Sequence, residues 1–259
     1  MAIENSLHWN NFLINVQKAK RELGNPEIIW YRGHSNFKYY LLPSLLRFEN
    51  GIDKEQKLFH TFRRFSDRVF KYRESDWETL FDMQHYGIPT RLLDWTESFG
   101  IAMYFAIYYN NLAKSTEDAA IYLLDPLKLN EVSGKTDILK LPRQENEFSY
   151  TGIYWNNNPF KATAPIAIEP IFKNDHIIAQ RGTFTVHDND IKPSEDKFPL
   201  AIKKVKLEKE AIKAGVEFLE LANLNEYSVF PDLAGIAQHL NNTSGLIYRW
   251  KDLVQATNP

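Results

Sequence analysis

From Ser6 to Leu23, apolar residues recur every three or four positions. Trp9, Phe12, Leu13, Val16, Ala19 and Leu23 fall on one face, which predicts an amphipathic helix. Gly24-Asn25-Pro26 stops it. Ile28-Ile29-Trp30-Tyr31 reads as a short apolar strand that delivers Arg32-Gly33-His34 at its end. The proline makes Tyr39 to Ser44 extended or turn-like. A long helix is predicted over Lys54 to Tyr72, with Leu58, Phe62, Phe65 and Val69 as its inner stripe. Asp76 caps a further helix to about His85, ended by Gly87 and Pro89. Ser98 is a plausible N-cap for Phe99 to Asn110.

The second half is richer in strand patterns. Ala120–Leu124, Ala164–Ile168, His176–Gln180, Thr183–His187 and Leu200–Val205 read as strands. Glu208 to Asn223 reads as a helix, and Phe230-Pro231-Asp232-Leu233 begins a last one. Asn156-Asn157-Asn158-Pro159 and Asp188-Asn189-Asp190 are loops. Repeats, low-complexity segments and dividing linkers are absent. The expectation is one α+β domain over residues 1–259, helices leading and an antiparallel-rich sheet following.

Composition narrows the function classes. A chain of 259 residues, 44% apolar, can bury a sizeable core. A net charge of −2 supplies no overall field toward nucleic acid or anionic membranes. With no cysteine, thiol nucleophiles, disulfides and cysteine metal sites are excluded. No HExxH or paired-histidine spacing occurs, so no metal is expected. The first residues carry no basic region followed by an apolar run, and the run Ile101 to Tyr109 is too short to span a bilayer. The expected location is the cytoplasm, with no membrane partner.

Chemistry concentrates in Gln84-His85-Tyr86-Gly87-Ile88-Pro89-Thr90-Arg91-Leu92-Leu93-Asp94-Trp95-Thr96. Charges, a histidine, hydroxyls and aromatics around a Gly/Pro breaker are more than a core element needs. Arg32 offers a guanidinium fork for a phosphate or carboxylate, approached closely beside Gly33, or else an ion pair at a strand end. Arg91 is expected near ligand. Asp94 is expected to be partly buried and to pair with Arg91. His34 and His85 are candidate acid/base groups, although single histidines are more often structural. Tyr31 and Trp95 can stack on a flat ring or simply pack. Gln180 can hold a ribose hydroxyl or cap a strand. The basic face of Lys54 to Arg73 reads as solvated rather than as a nucleic-acid contact. Ser133-Gly134-Lys135-Thr136 lacks the upstream glycine of a phosphate loop.

Six blocks carry a resemblance to a known family. They are Trp30-Tyr31-Arg32-Gly33-His34, Leu42 to Arg47, Gln84 to Thr96 with Ser98, Ala102 to Ala106, Ala179 to Phe184, and Phe230 to Gly235. In this order they resemble the FRG domain family of bacterial proteins, with the motif core over residues 28–240. The resemblance implies a fold, a site location and a place in bacterial conflict or phage-defence systems. The order of elements is also similar to that of ADP-ribosyltransferases. By that likeness Arg32, Thr96, Ser98 and Gln180 take the catalytic positions, with Gln180 where those enzymes carry a late glutamate. Tyr31, Gly33, His34, His85, Arg91 and Asp94 would bind the ligand. The implied reading is an NAD-binding transferase or glycohydrolase, NAD being its substrate. The alternative is a non-catalytic module that senses a nucleotide-type ligand through the same pocket. A protein or nucleic-acid target stays open.

Overall fold

The structure is a computed structural model that describes residues 2–69, 75–112, 117–141, 148–170 and 175–244, with side chains left aside for 2–6 and 108–112. The first half runs α1 (Ala2–Glu22), β1 (Trp30–His34), α2 (Gly51–Ser66), α3 (Asp76–His85), β2 (Leu92–Thr96) and α4 (Phe99–Leu112). It continues with β3 (Ala119–Leu124), α5 (Pro126–Val132), β4 (Leu139–Leu141), α6 (Tyr150–Asn156) and β5 (Ile166–Pro170). Then come α7 (Asp175–Gln180), β6 (Gly182–Val186), α8 (Ser194–Lys197), β7 (Ile202–Leu207), α9 (Ile212–Leu221), α10 (Glu226–Val229) and α11 (Leu233–Thr243). The fold is α+β, built on one mixed sheet in the order β4-β5-β6-β2-β1-β3-β7. Every neighbouring pair is antiparallel except β4 with β5.

The sheet's two central strands therefore come from the helix-rich first half. β1 pairs along its whole length with β3, from Trp30 opposite Leu124 to His34 opposite Ala120. β2 pairs equally fully with β6. Between themselves β1 and β2 are in register at Tyr31 and Thr96 alone. The middle of the sheet is thus its weakest ladder, and polar side chains take over there.

One core lies where α1, α4 and α9 cover the sheet, with Phe12, Met103, Ile107, Ile121, Leu123 and Leu207 buried in it. A second gathers Trp30, Leu93, Trp95 and Tyr122, and a third packs α2, α3 and α6 through Phe59, Trp77, Leu80, Met83 and Tyr150. Glycine is required at Gly33, where a Cβ would lie 1.9 Å from the Ala102 carbonyl oxygen and 2.6 Å from the Ala106 nitrogen. β1 thus rests directly on the backbone of α4, and the absent side chain serves helix–strand packing.

Several local expectations are corrected. Residues 176–180 form the helix α7, not a strand. Their spacing explains it: His176 and Gln180 are one helical turn apart and project to the same side. α2 begins at Gly51, and its buried positions are Gly51, Glu55, Phe59 and Ser66. Phe65 and Val69 of the expected stripe are exposed, at 70% and 73%. The stripe shifts because Glu55, polar in any pattern, is buried through an ion pair. The last residues of that expected helix, with Lys71 and Arg73 of its basic face, lie outside the described residues. Ser75, not Asp76, caps α3, through a full capping box with Glu78. Asp232 is the N-cap of α11, accepting from the Gly235 nitrogen, so the helix starts after it. No helix among the described residues is long and apolar enough to cross a membrane.

Candidate functional site

The parting of β1 and β2 opens a cleft of about 410 Å³. Tyr31, Arg32, Gly33 and His34 line it from β1, Ser35 from just beyond that strand, and Asp94, Trp95 and Thr96 from β2. Phe81, Gln84 and His85 come from α3, His176, Ile177 and Gln180 from α7, and Tyr39, Arg47, Phe105, Phe184 and Phe230 complete the wall. The volume and the mix of aromatic wall with a few convergent polar groups suit a small-molecule site.

Asp94 is the open position of an otherwise buried strand, with Leu92, Leu93, Trp95 and Thr96 all inside. Its carboxylate is half exposed and held from two sides. Arg32 Nη1 donates to the Asp94 carbonyl and lies 3.3 Å from Oδ2. The guanidinium thus fills the gap left where the β1–β2 ladder stops. Gln84 Nε2 donates to Oδ1 and Oδ2 at 3.1 and 2.9 Å. The amide is oriented by Thr90, whose hydroxyl donates to Gln84 Oε1 at 2.6 Å.

Arg32 Nε also donates to His34 Nε2 at 3.0 Å, so that nitrogen carries no proton. Burial, then the charges of Arg32, Arg47 and Lys204, pulls the His34 pKa down to about 2. His34 is thus a neutral prop for Arg32, not an acid/base group. Arg47 donates to the Leu42 carbonyl and has its pKa lowered by burial and by Arg32. Two guanidiniums therefore face one carboxylate, an arrangement that favours an anionic ligand.

Arg91 departs from expectation. It is 1% exposed, does not line the cleft, and forms a two-pronged ion pair with Glu55 at 2.6 and 2.7 Å. Burial lowers its pKa, but the hydrogen bonds to Glu55 and the nearby tyrosines more than reverse this. Tyr150 donates to the same Glu55 carboxylate. The expected Arg91–Asp94 pair is absent: Arg91, just before β2, pairs with Glu55, while Asp94, three residues on within β2, faces Arg32.

Among the residues expected to be catalytic, Arg32, Thr96 and Gln180 line the cleft, and Ser98 does not. Ser98 caps α4, its hydroxyl accepting from the Ile101 nitrogen. The Thr96 hydroxyl is committed: it donates to the Gln180 carbonyl at 2.6 Å and accepts from the Ser98 nitrogen. Gln180 stands on α7 rather than on a late strand, and its amide donates to the Val229 carbonyl. Tyr31 and His85 line the cleft as expected, and burial raises the Tyr31 pKa. Trp95 is buried, with Nε1 donating to Thr185 Oγ1. Sequence reasoning missed Arg47, Gln84 and His176 as lining residues. Gln84 opens the motif that holds Asp94, and His176 is given away only by its four-residue spacing from Gln180.

Among the described residues one group, His8, Glu208 and Glu210, has metal-capable atoms within 4.8 Å of one another. It joins α1 to the end of β7, apart from the cleft, and His8 is already hydrogen-bonded to Glu208.

The FRG domain family matches residues 27–115, the segment that contributes β1, α3, β2 and hence Arg32, Gln84, His85 and Asp94. Comparisons with curated proteins and with solved structures gave no match.

Proposed function

We propose that this FRG-domain chain binds a nucleotide-type ligand, with NAD the leading candidate, in the β1–β2 cleft, and that Asp94 faces its ribose. The carrying observation is the Asp94 carboxylate, half exposed in the cleft and aimed by Arg32 and Gln84. Breaking the bond between nicotinamide and ribose develops positive charge on the sugar, as in glycoside hydrolysis. A pre-oriented carboxylate stabilises that charge. Arg32 and Arg47 would neutralise phosphate oxygens, and the rings of Tyr31, Phe81 and Phe230 would cover the bases. This favours an NAD glycohydrolase or ADP-ribosyltransferase. Its place would be a bacterial conflict or phage-defence system.

A second reading, a non-catalytic sensor of the same ligand, is favoured by a different observation. Asp94 is the lone carboxylate among the described lining residues, and the Gln180 amide is tied to the Val229 carbonyl. The two readings part in one experiment. Purified protein is incubated with NAD and free nicotinamide is measured by chromatography. The enzyme reading expects release that falls on the order of a hundredfold in Asp94→Asn. Binding of NAD without release by the wild type selects the sensor instead.

A further inference from the structure

The side of the cleft formed by α3, α7 and the start of α11 carries a second cluster, on which the reading above does not draw. His176 Nε2 lies 2.9 Å from Asp232 Oδ2. A carboxylate only accepts, so Nε2 bears the proton and Nδ1 is the basic nitrogen. Asp232 is itself fixed, because Oδ1 accepts from the Gly235 nitrogen at 2.7 Å as the cap of α11. The His176 ring packs against Phe230 and against His85, whose centroid is 4.8 Å away at 67°. Both imidazoles line the cleft. His85 follows Gln84, so consecutive residues of α3 touch Asp94 and the histidine pair. Asp232, His176 and His85 therefore stand in a row, the two imidazoles meeting edge to face, an order that a helix cap alone does not require and a proton path does.

We propose that Asp232, His176 and His85 form a proton relay serving the cleft, with Asp232 positioning His176 and the two imidazoles sharing one proton. The role it would fill rests on the NAD reading. When water attacks the anomeric carbon, its oxygen forms the new C–O bond. The C–N bond breaks with its electron pair going to the nicotinamide nitrogen, which becomes neutral. One water proton passes to an imidazole and then to solvent, so atoms and charge balance. The charged and titratable groups facing His85 are Asp82 on its own helix, Tyr86 just after it, whose ring meets the imidazole edge-on with centroids 4.8 Å apart, His176 on α7 and Asp232 at α11. Burial and His176 lower the His85 pKa, and the two acids oppose them, so near neutrality His85 is a neutral base.

The test follows the imidazole nitrogens by NMR against pH in the protein alone, then nicotinamide release from NAD. The relay predicts that the His85 and His176 signals move together in two macroscopic steps, and that Asp232→Asn shifts His85 to lower pH while keeping the helix cap. His85→Gln should collapse the pair to one step. It should also lower kcat for release at least tenfold with KM for NAD within about twofold. Independent titration of the two rings, unaffected by Asp232→Asn, overturns the relay. Coupled titration without any nicotinamide release supports the relay and overturns the NAD-cleaving reading. Release that keeps its kcat and pH profile in His85→Gln overturns the relay while leaving that reading intact.

Discussion

Single residues divide sharply into those that hold the fold and those that face the cleft, and the two arginines show how. Arg91 and Glu55 are a buried, doubly bonded pair with Tyr150 on the same carboxylate. Removing one partner strands a buried charge. Glu55→Ala and Arg91→Ala should each lose roughly 3–5 kcal/mol in urea unfolding. Asp94→Ala breaks a half-exposed pair and should lose no more than about 1 kcal/mol. The reverse ranking would return Asp94 to a structural role. Arg32, His85 and Asp94 were legible as site residues because charge beside glycine, proline and aromatics is unusual in a core. The pairing of Arg91 was not legible, since Glu55 lies 36 residues away on a helix. Nothing local in the motif distinguishes it from Asp94.

At the scale of elements, the close approach of β1 to α4 determines whether the cleft keeps its shape. A Cβ at Gly33 would collide with helix backbone, which cannot rotate away as a side chain can. Gly33→Ala should therefore destabilise by about 1–3 kcal/mol or more and weaken ligand binding together with it. A variant as stable as wild type that loses binding alone would mean that Gly33 serves the ligand directly. The amphipathic helices and β-branched strands follow from periodicity, which is a local signal. The reading of residues 176–180 as a strand failed because five residues with two isoleucines satisfy either period. Contacts from α10 and the start of α11 around His176 and Gln180 favour the helix. The splaying of β1 from β2 is a property of two strands sixty residues apart and has no trace in either.

At the scale of the whole molecule, two buried histidines couple stability to pH. Burial, then the charges of Lys197, Arg32 and Arg91, lowers the His187 pKa to about 3. Its neutral state has a geometric reason. Thr185 Oγ1 accepts from Trp95 and is hydrogen-bonded to His187 Nε2 at 2.9 Å, so the buried ring is held by a neutral hydroxyl, not by a carboxylate that would offset a charge. With His34 also neutral, the unfolded chain binds protons below pH 6.5 that the fold refuses. Stability contributed by these residues is present above that pH and declines as pH falls toward about 3. Urea midpoints should drop between pH 6.5 and pH 4, and His187→Gln should flatten the slope. A midpoint constant or rising over that window would contradict the assignment.

If the parting of β1 and β2 makes a nucleotide site gripped by Arg32, NAD binding depends on that guanidinium. Calorimetric titration of NAD into wild type and Arg32→Ala, with thermal unfolding run on both, decides this. Saturable one-site binding by the wild type is expected, with a loss of about 2–5 kcal/mol in Arg32→Ala at a nearly unchanged melting temperature. Equal affinity in the two proteins, or a melting temperature that collapses with the mutation, would contradict it.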